Sequence, residues 1–461
     1  MENPYKTFGD ILPGSIHRSR QGVYLRSIRA FTAAVMMIPG AASALSLDEA
    51  LVIAREQATT LQTLEAETRQ AEAQHTRTAQ AFLPTLSADA SWLRADSSLI
   101  TGVPVPDQTS PTGLRQADLG PVEGTVTGVQ LVQPVFNADV LKQREAASLK
   151  LDARRHARQW GQQALRLEVA RRYFNILRLR SRQNAAEQAS DAARQAVQMA
   201  EGSYQQGMAA RLDVEQARAE LAAAQARISQ AEAAAREAEY QLKSLLGLAP
   251  RDTLQLETGL PEPAVPLDTG QQGAPRKDLE ARQLAAQAAN RQTHATEAEW
   301  LPRVNLLARQ QWAHGNELLD DNADGWLVAV NLQWTLFDGL GRQGRIAEAR
   351  AAADKIRTEL EETRRRIDRE QAIAASQWQA GFSAWQAAGK SIKAAEKAAR
   401  LASRRYQENL GSMTDLLTAR ARLDRERATL IDSRYQAVLA AMNHHLQHGR
   451  DPLLALGNDY Q

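Results

Sequence analysis

The sequence predicts a mainly α-helical protein that also carries membrane β-structure. Segments of up to roughly 70 residues contain almost no helix-breaking residue, which is longer than the helices of ordinary compact domains. Only 5% of the 461 residues are aromatic, which favours closely packed long helices over a conventional globular core. Four short segments instead alternate between polar and apolar residues, the pattern of strands with one apolar face.

The first 44 residues have the three regions of a secretory signal peptide. Four arginines precede an apolar stretch at residues 30–38, and Ala42-Ser43-Ala44 supplies a small-residue cleavage site. We therefore predict cleavage before Leu45 and export of the mature protein. The basic region is unusually long, and a start near Val23 would give a signal of ordinary length. We hypothesise that the start is mis-assigned, which N-terminal sequencing of the precursor would test.

The mature chain contains two copies of one pattern: helix, strand, loop, strand, helix, turn and helix. The clearest evidence is that Asp213–Leu221 matches Asp415–Leu423 at a constant offset, so that Arg218 corresponds to Arg420. The predicted boundaries are 45–247 for the first repeat, 248–276 for a Pro/Gly-rich connector, 277–449 for the second repeat and 450–461 for the tail.

The last two helices of each repeat are predicted to form an antiparallel coiled-coil hairpin. From about residue 138 to residue 206 the chain has two glycines and no proline, and a helix of that length spans roughly 100 Å. The next segment, 212–246, carries apolar residues at steps of seven, with alanine at most of the second seam positions. We expect the hairpins to turn near Gly207 and near Asn409-Leu410-Gly411.

Four strands are predicted, at about 86–95, 124–136, 304–314 and 325–337. Alternation is clearest in the last, where Val328, Val330 and Leu332 oppose polar or small neighbours. In a soluble sandwich the apolar face needs a second sheet, and four strands separated by such long helices provide none. In a membrane barrel the apolar face contacts lipid and the polar face lines a lumen.

Tryptophans stand at or near the ends of these predicted strands, at Trp92, Trp312, Trp326 and Trp334. Interfacial aromatic girdles of membrane barrels have this distribution. Taken singly, each tryptophan is equally compatible with a buried core position. 

Four strands cannot close a barrel by themselves, because an open sheet edge in lipid leaves backbone groups without hydrogen bonds. The smallest bacterial barrels need about eight strands, so several chains must share one barrel. Two chains would give eight strands and a lumen plugged by side chains, whereas three would give twelve strands and an open lumen. We predict a trimer whose helices continue the barrel as a periplasmic tube.

Composition excludes several classes of function. With 56 Lys and Arg against 54 Asp and Glu, the chain has no polyanion-binding signature, so nucleic acid is not an expected partner. It has no cysteine, which excludes thiolate metal sites, cysteine nucleophiles and a lipidated N-terminal cysteine.

His444 and His448 share a helix face without a nearby carboxylate, so we interpret them as a solvated or dipole-compensating helix end. We predict no enzyme activity, no cofactor and no metal site.

The order and duplication of short motifs resemble those of the outer membrane factor family, the TolC-like channels of Gram-negative tripartite export systems. The motifs are Leu45–Leu51, Phe82-Leu83-Pro84, Trp334–Gly339 and the paired blocks Tyr204 to Asp213 and Tyr406 to Asp415. The resemblance covers essentially residues 45–450. It implies a trimer with a shared twelve-stranded outer-membrane β-barrel, four strands per chain, continued by a long α-helical periplasmic barrel of coiled-coil hairpins.

The resemblance also implies candidate gate residues at the periplasmic mouth. The family's D-V-L-D-A stretch corresponds here to Asp415 through Ala419, in which Thr418 replaces the second acidic residue. Three copies of Asp415 around a threefold axis would make a cation-attracting constriction. Tyr406 and Asp213 occupy positions at which family members hold the mouth shut. As an alternative, compatible with gating, Asp213 and Asp415 cap the helices that they begin.

The resemblance implies partners as well. A periplasmic adaptor, or membrane fusion protein, would contact the turn residues Gly207, Met208, Ala209, Asn409, Leu410 and Gly411. Some relatives have an arginine where Gly411 stands, and the ion-pair lock made by that arginine is not expected here. The remaining implied partners are an inner-membrane ABC or proton-driven transporter, outer-membrane lipid and an exported substrate. Type I protein secretion and small-molecule efflux both remain open.

The rival interpretation is a soluble periplasmic coiled-coil adaptor or scaffold protein. Such adaptors carry lipoyl-like and barrel domains around a single hairpin, whereas this chain has two full repeats. The sequence therefore favours an exit duct in the outer membrane of a Gram-negative bacterium, with a large periplasmic part.

Overall fold

A computed structural model of the protein describes residues 44–95, 103–106, 114–117, 122–257, 259–266, 274–315 and 323–456. The predicted signal peptide, apart from its last residue, lies outside the described residues. The last five residues of the predicted tail and part of the predicted connector also lie outside them.

Seven α-helices make up most of the described chain: α1 Leu47–Gln57, α2 Thr59–Arg77, α3 Ala138–Gln205, α4 Arg211–Leu246, α5 Lys277–Glu297, α6 Gly341–Gln407 and α7 Met413–Gln447. Helix α3 has 68 residues and α6 has 67, so each is roughly 100 Å long. The predicted ends of α3 and α4 agree with the structure to within one residue. No helix in the described part of the chain is long and apolar enough to cross a membrane.

Helix α4 packs through the seam that the heptad pattern predicts. Val214, Ala217, Ala224 and Leu242 are buried, and the small alanine side chains allow close approach of the helix backbones. Leu221, a predicted seam residue, is only half-buried.

The larger hydrophobic core lies where the middle of α3 meets the ends of α4 and α7, with Phe174, Leu242 and Met442 fully buried. Leu45, just before α1, is fixed to this core. Leu45 forms a parallel bridge with Leu256 of the connector, and its carbonyl accepts a hydrogen bond of 2.8 Å from the Tyr173 hydroxyl. Leu45 and the connector therefore pack against the middle of the first hairpin.

Six strands are described: β1 Thr85–Ala95, β2 Val103–Pro106, β3 Leu114–Ala117, β4 Val122–Phe136, β5 Arg303–Gly315 and β6 Ala323–Gln333. Four of them form an antiparallel sheet in the order β1-β4-β5-β6, and β2 pairs only with β3. The sheet thus joins both halves of the chain at its centre, between β4 and β5.

The predicted end of the last strand, residue 337, is wrong. Strand β6 stops at Gln333, which pairs with Arg303, the first residue of β5. Before Arg303 the segment that leads into β5 leaves the sheet at Pro302. Residues 334–337 therefore have no strand of β5 beside them to pair with. Trp334 instead donates its indole N–H to the Trp300 carbonyl at 3.0 Å.

The register divides the sheet into two chemically different faces, because residues paired across neighbouring strands lie on the same face. One face is apolar and exposed, formed by Leu86, Trp92, Val129, Leu131, Leu306, Trp312, Trp326, Val328, Val330 and Leu332. The opposite face carries Thr85, Ser87, Asp89, Gln130, Asn305, Arg309, Gln311 and Asn331. We call these the apolar face and the polar face.

Three of the four tryptophans, Trp92, Trp312 and Trp326, lie on the apolar face at one end of the sheet and are exposed. They therefore do not fill a core within this chain. On the polar face, Asp89 of β1 and Arg309 of β5 form an ion pair at 3.0 Å that crosses over β4. It crosses at Gly128, where an added Cβ would lie 3.3 Å from both side chains, so a larger residue there would crowd the pair.

Candidate functional site: the hairpin turns

Both long hairpins close with the same backbone geometry. The turn after α3 contains Gly207, which has a φ of +71°, and the Met208 N–H donates to the Ser203 carbonyl at 2.8 Å. The turn after α6 contains Asn409, which has a φ of +61°, and the Leu410 N–H donates to the Arg405 carbonyl at 2.7 Å. Glycine and asparagine are the residues that most readily adopt this left-handed conformation. The predicted turn positions are thus confirmed.

The two candidate gate aspartates cap the helices that follow the turns. Asp213 accepts a hydrogen bond from the Ala210 N–H at 3.3 Å. Asp415 accepts one from the Ser412 N–H at 3.2 Å, and the Ser412 hydroxyl accepts one from the Asp415 N–H at 3.1 Å. This reciprocal pair is a capping box, so the capping interpretation describes both carboxylates.

Capping also sets the charge of Asp415. Its hydrogen bonds from the Ser412 side chain and backbone hold the pKa of this carboxyl below its usual range, and the positive charge of Arg405 adds to the effect. The side chain is exposed on α7, as is Thr418. At neutral pH the turn therefore presents an ionised carboxylate to solvent, without the second acid that Thr418 replaces.

A small second core joins the two hairpins just behind their turns. It contains Ala196, Ala200, Val214, Ala217, Tyr406, Met413 and Leu416. Tyr406 is only 6% exposed, and burial raises the pKa of its hydroxyl, with the negative charge of Asp213 adding to the rise. The hydroxyl of Tyr406 therefore lies near the carboxylate of Asp213.

The turns themselves expose apolar side chains and touch each other. Met208 is 52% exposed and Leu410 is 65% exposed, and the Asn409 amide lies 3.6 Å from the Met208 sulfur. Arg405 folds back over the second turn and donates to the Leu410 carbonyl at 3.0 Å. An added Cβ on Gly411 would lie 3.2 Å from the Arg405 Cβ, so this glycine accommodates the arginine stem.

Sequence reasoning missed a cavity between the two hairpins. It has a volume of about 390 Å³ and is lined by residues of α3, α4, α6 and α7, among them Ala192, Ser403, Arg420 and Asp424. The Arg420 guanidinium donates a hydrogen bond to the backbone carbonyl of Ala192, on the other hairpin. The matched arginine of the first repeat, Arg218, pairs with Glu201 of its own hairpin. The signal in the sequence is that the residue corresponding to Glu201 in the second repeat is Ser403.

The interpretation of His444 as a dipole-compensating charge is wrong. His444 lies 4.6 Å from the Trp378 ring and 4.2 Å from the His448 ring, measured between ring centroids. Burial lowers the pKa of His444 to about 4, so it is neutral at pH 7 and cannot compensate a helix dipole. Among the described residues no group of three or more potential ligands could hold a metal ion.

These features define a class of protein. A sheet with an exposed apolar face and an aromatic end is joined to two helical hairpins roughly 100 Å long, the arrangement of a membrane duct. A sequence profile described as "Outer membrane efflux protein" matches residues 50–248 and 271–443. The chain therefore belongs to the outer membrane efflux protein family, whose members are transport ducts of the outer membrane and not enzymes. The soluble adaptor interpretation is not favoured.

Solved structures share this fold. The outer-membrane channel OprN is 22% identical, with 87% of this chain and 89% of OprN covered and a TM-score of 0.74. VceC from Vibrio cholerae is 19% identical, with 88% and 96% covered and a TM-score of 0.75. The open state of the MtrE channel from Neisseria gonorrhoeae is 20% identical, with 88% and 89% covered and a TM-score of 0.71. No curated protein sequence matched.

Proposed function

We propose that three copies of this chain form one passive exit duct. Each copy supplies β1, β4, β5 and β6 to a shared twelve-stranded barrel, with the apolar face towards lipid and the polar face towards the lumen. The observation that carries the proposal is the open sheet: within the chain β1 and β6 are edge strands, and an edge in lipid must be paired. The helices continue the barrel as a periplasmic tube.

In this proposal each chain is a duplicated unit, with repeats at 45–247 and 277–449, a connector at 248–276 and a tail at 450–461. The duplication supports the assembly because each repeat contributes two strands of the sheet and one helical hairpin. Three duplicated chains would then form a tube of nearly sixfold symmetry.

The turns are the proposed gate and docking point. In the closed state Tyr406 and Asp213 hold the second hairpin to the first, and the three Asp415 carboxylates form an acidic constriction, with Thr418 next to it. A periplasmic adaptor binds the turn residues Gly207, Met208, Ala209, Asn409, Leu410 and Gly411 and draws the hairpins apart. The exposed Met208 and Leu410 side chains support docking, since apolar anchors carry most of the binding free energy at interfaces.

The energy for transport comes from an inner-membrane partner, either an ABC or a proton-driven transporter. Small-molecule efflux and type I protein secretion use the same open duct, and the partner would determine which cargo passes. An export assay in cells that co-express the chain with a candidate ABC transporter or a candidate proton-driven transporter separates the two cargoes. Lower accumulation of a dye inside cells reports efflux, and a protein appearing in the medium reports secretion.

The gate is tested by Tyr406→Phe in the purified protein in planar lipid bilayers. Removing the hydroxyl should raise the open fraction several-fold, because in this proposal the polar tip of Tyr406, which lies near Asp213, holds the second hairpin to the first. Tyr204→Phe, at the matched but exposed position of the first repeat, is the control and should leave the open fraction unchanged. Equal open fractions in both variants would contradict the assignment of Tyr406.

Docking is tested by cross-linking. Since the chain has no cysteine, Leu410→Cys places a single thiol on the second turn. A photoactivatable cross-linker on that thiol should capture the purified adaptor, whereas the same label at the exposed Ile373, within α6, should not. Capture from both positions, or from neither, would contradict docking at the turns.

A further inference from the structure

Arg420 occupies an unusual position between the two hairpins. Its guanidinium reaches from α7 across the cavity behind the turns to the Ala192 carbonyl on α3. A backbone carbonyl has two lone pairs, so Ala192 can accept this bond in addition to its own helical hydrogen bond. The contact therefore links the second hairpin directly to the first.

No salt bridge within the described chain involves Arg420, although acidic residues line the same cavity. Glu220 pairs with Arg227 at 2.9 Å, and Asp424 lies 3.9 Å from Arg427. Burial lowers the pKa of Arg420, and Asp424 offsets this only in part. The hydrogen bond to the opposite hairpin is therefore the specific contact that compensates for the loss of hydration of this guanidinium.

Comparison with the first repeat explains why Arg420 crosses over. Its counterpart, Arg218, forms an ion pair at 2.7 Å with Glu201, which lies on α3 and so belongs to the same hairpin. At the constant offset between the repeats, Glu201 corresponds to Ser403 of α6. Serine offers no charge to hold an arginine, and Arg420 bonds instead to the other hairpin.

We propose that Arg420 is a positioning residue that latches the second hairpin to the first when the duct is closed. The proposal rests on the proposed function, because a latch has meaning only if the hairpins move apart to open. The Arg218–Glu201 pair lies within one hairpin and survives that movement. The bond from Arg420 to Ala192 joins two hairpins and must break, so its loss favours the open state.

Two variants release the latch by different routes. Arg420→Met removes the donor while keeping the length of the side chain. Ser403→Glu keeps Arg420 but restores the acid of the first repeat, so that the arginine is drawn back to its own hairpin. Arg422→Met, at an exposed position on the same helix, is the matched control.

The variants are compared as full-length protein in two measurements. One is the open fraction in planar lipid bilayers, and the other is the distance between spin labels on Leu410→Cys in different copies. Arg420→Met and Ser403→Glu should each raise the open fraction roughly tenfold, the size expected for one charged hydrogen bond, and lengthen the label distance. The double variant should not raise the open fraction above that of either single variant, because both changes remove the same contact between Arg420 and Ala192.

The outcomes separate the latch from the duct. If Tyr406→Phe opens the duct while Arg420→Met and Ser403→Glu behave like wild type, the latch is overturned and the duct stands. If Arg422→Met opens it as well, the effect is general to α7 and the latch is overturned. If no variant conducts and the labels show no assembled copies, the proposed function fails and the latch with it.

Discussion

At the scale of single residues, Asp415 has a capping role in the structure and a gating role in the proposed function. The sequence left capping and gating open for it, and the structure places it in a capping box with Ser412 while its side chain stays exposed. The sequence could predict that Asp213 and Asp415 cap helices, because an aspartate just after a turn is a local signal of a helix N-terminus. It could not predict that Arg405 folds over the second turn, because that depends on the backbone conformation at Asn409.

The pKa of Asp415 gives a prediction for ion selectivity. The pKa of Asp415 is lower in the folded protein than its ordinary value of about 4. The carboxylate charge and the stabilisation by the cap are therefore fully present above the ordinary pKa. Both are lost as the pH falls through the lower folded pKa. Cation preference in bilayers should therefore stay constant from pH 8 to pH 5. Asp415→Asn should reduce it at every pH in this range. A preference that titrates between pH 5 and pH 7 would contradict the assignment.

At the scale of elements, the helices were predictable and the strand ends were not. The bounds of α3 and α4 follow from glycine, proline and heptad spacing, which are local. The end of β6 depends on where its partner β5 begins, at Arg303 after Pro302, and pairing across the sheet is not visible along the chain. Likewise the end of α7 is fixed by a distant segment, since Gly449 packs against Ala274 of the connector.

Gly449 provides the corresponding test. It has a φ of +70°, and an added Cβ would lie within 2.3 Å of the Ala274 carbonyl oxygen. Gly449→Ala should therefore destabilise the protein by about 2 kcal/mol or more, from backbone strain and the clash together. Gly344→Ala, in the open on α6, should instead be neutral or stabilise by up to about 1 kcal/mol. Thermal unfolding followed by circular dichroism compares the two, and equal shifts would contradict the packing at Gly449.

At the scale of the whole molecule, the proposed duplication accounts for the order of the helices and strands. Its order was readable from the sequence, and the family profile spans both repeats. The differences between the two halves matter as much: Ser403 stands where the first half has Glu201, and Thr418 stands where the family motif has its second acidic residue. Sequence comparison of the repeats identifies such positions, but only the packing of α7 against α3 shows what the changed residues contact.

The central claim is that one chain cannot form the duct and three chains can. The most direct test is the native mass of the detergent-extracted mature protein, by light scattering corrected for bound detergent. The account predicts three times the mass of the mature chain, because the open edges of β1 and β6 must pair with neighbouring copies in lipid. A monomer that stays in solution without detergent would contradict it.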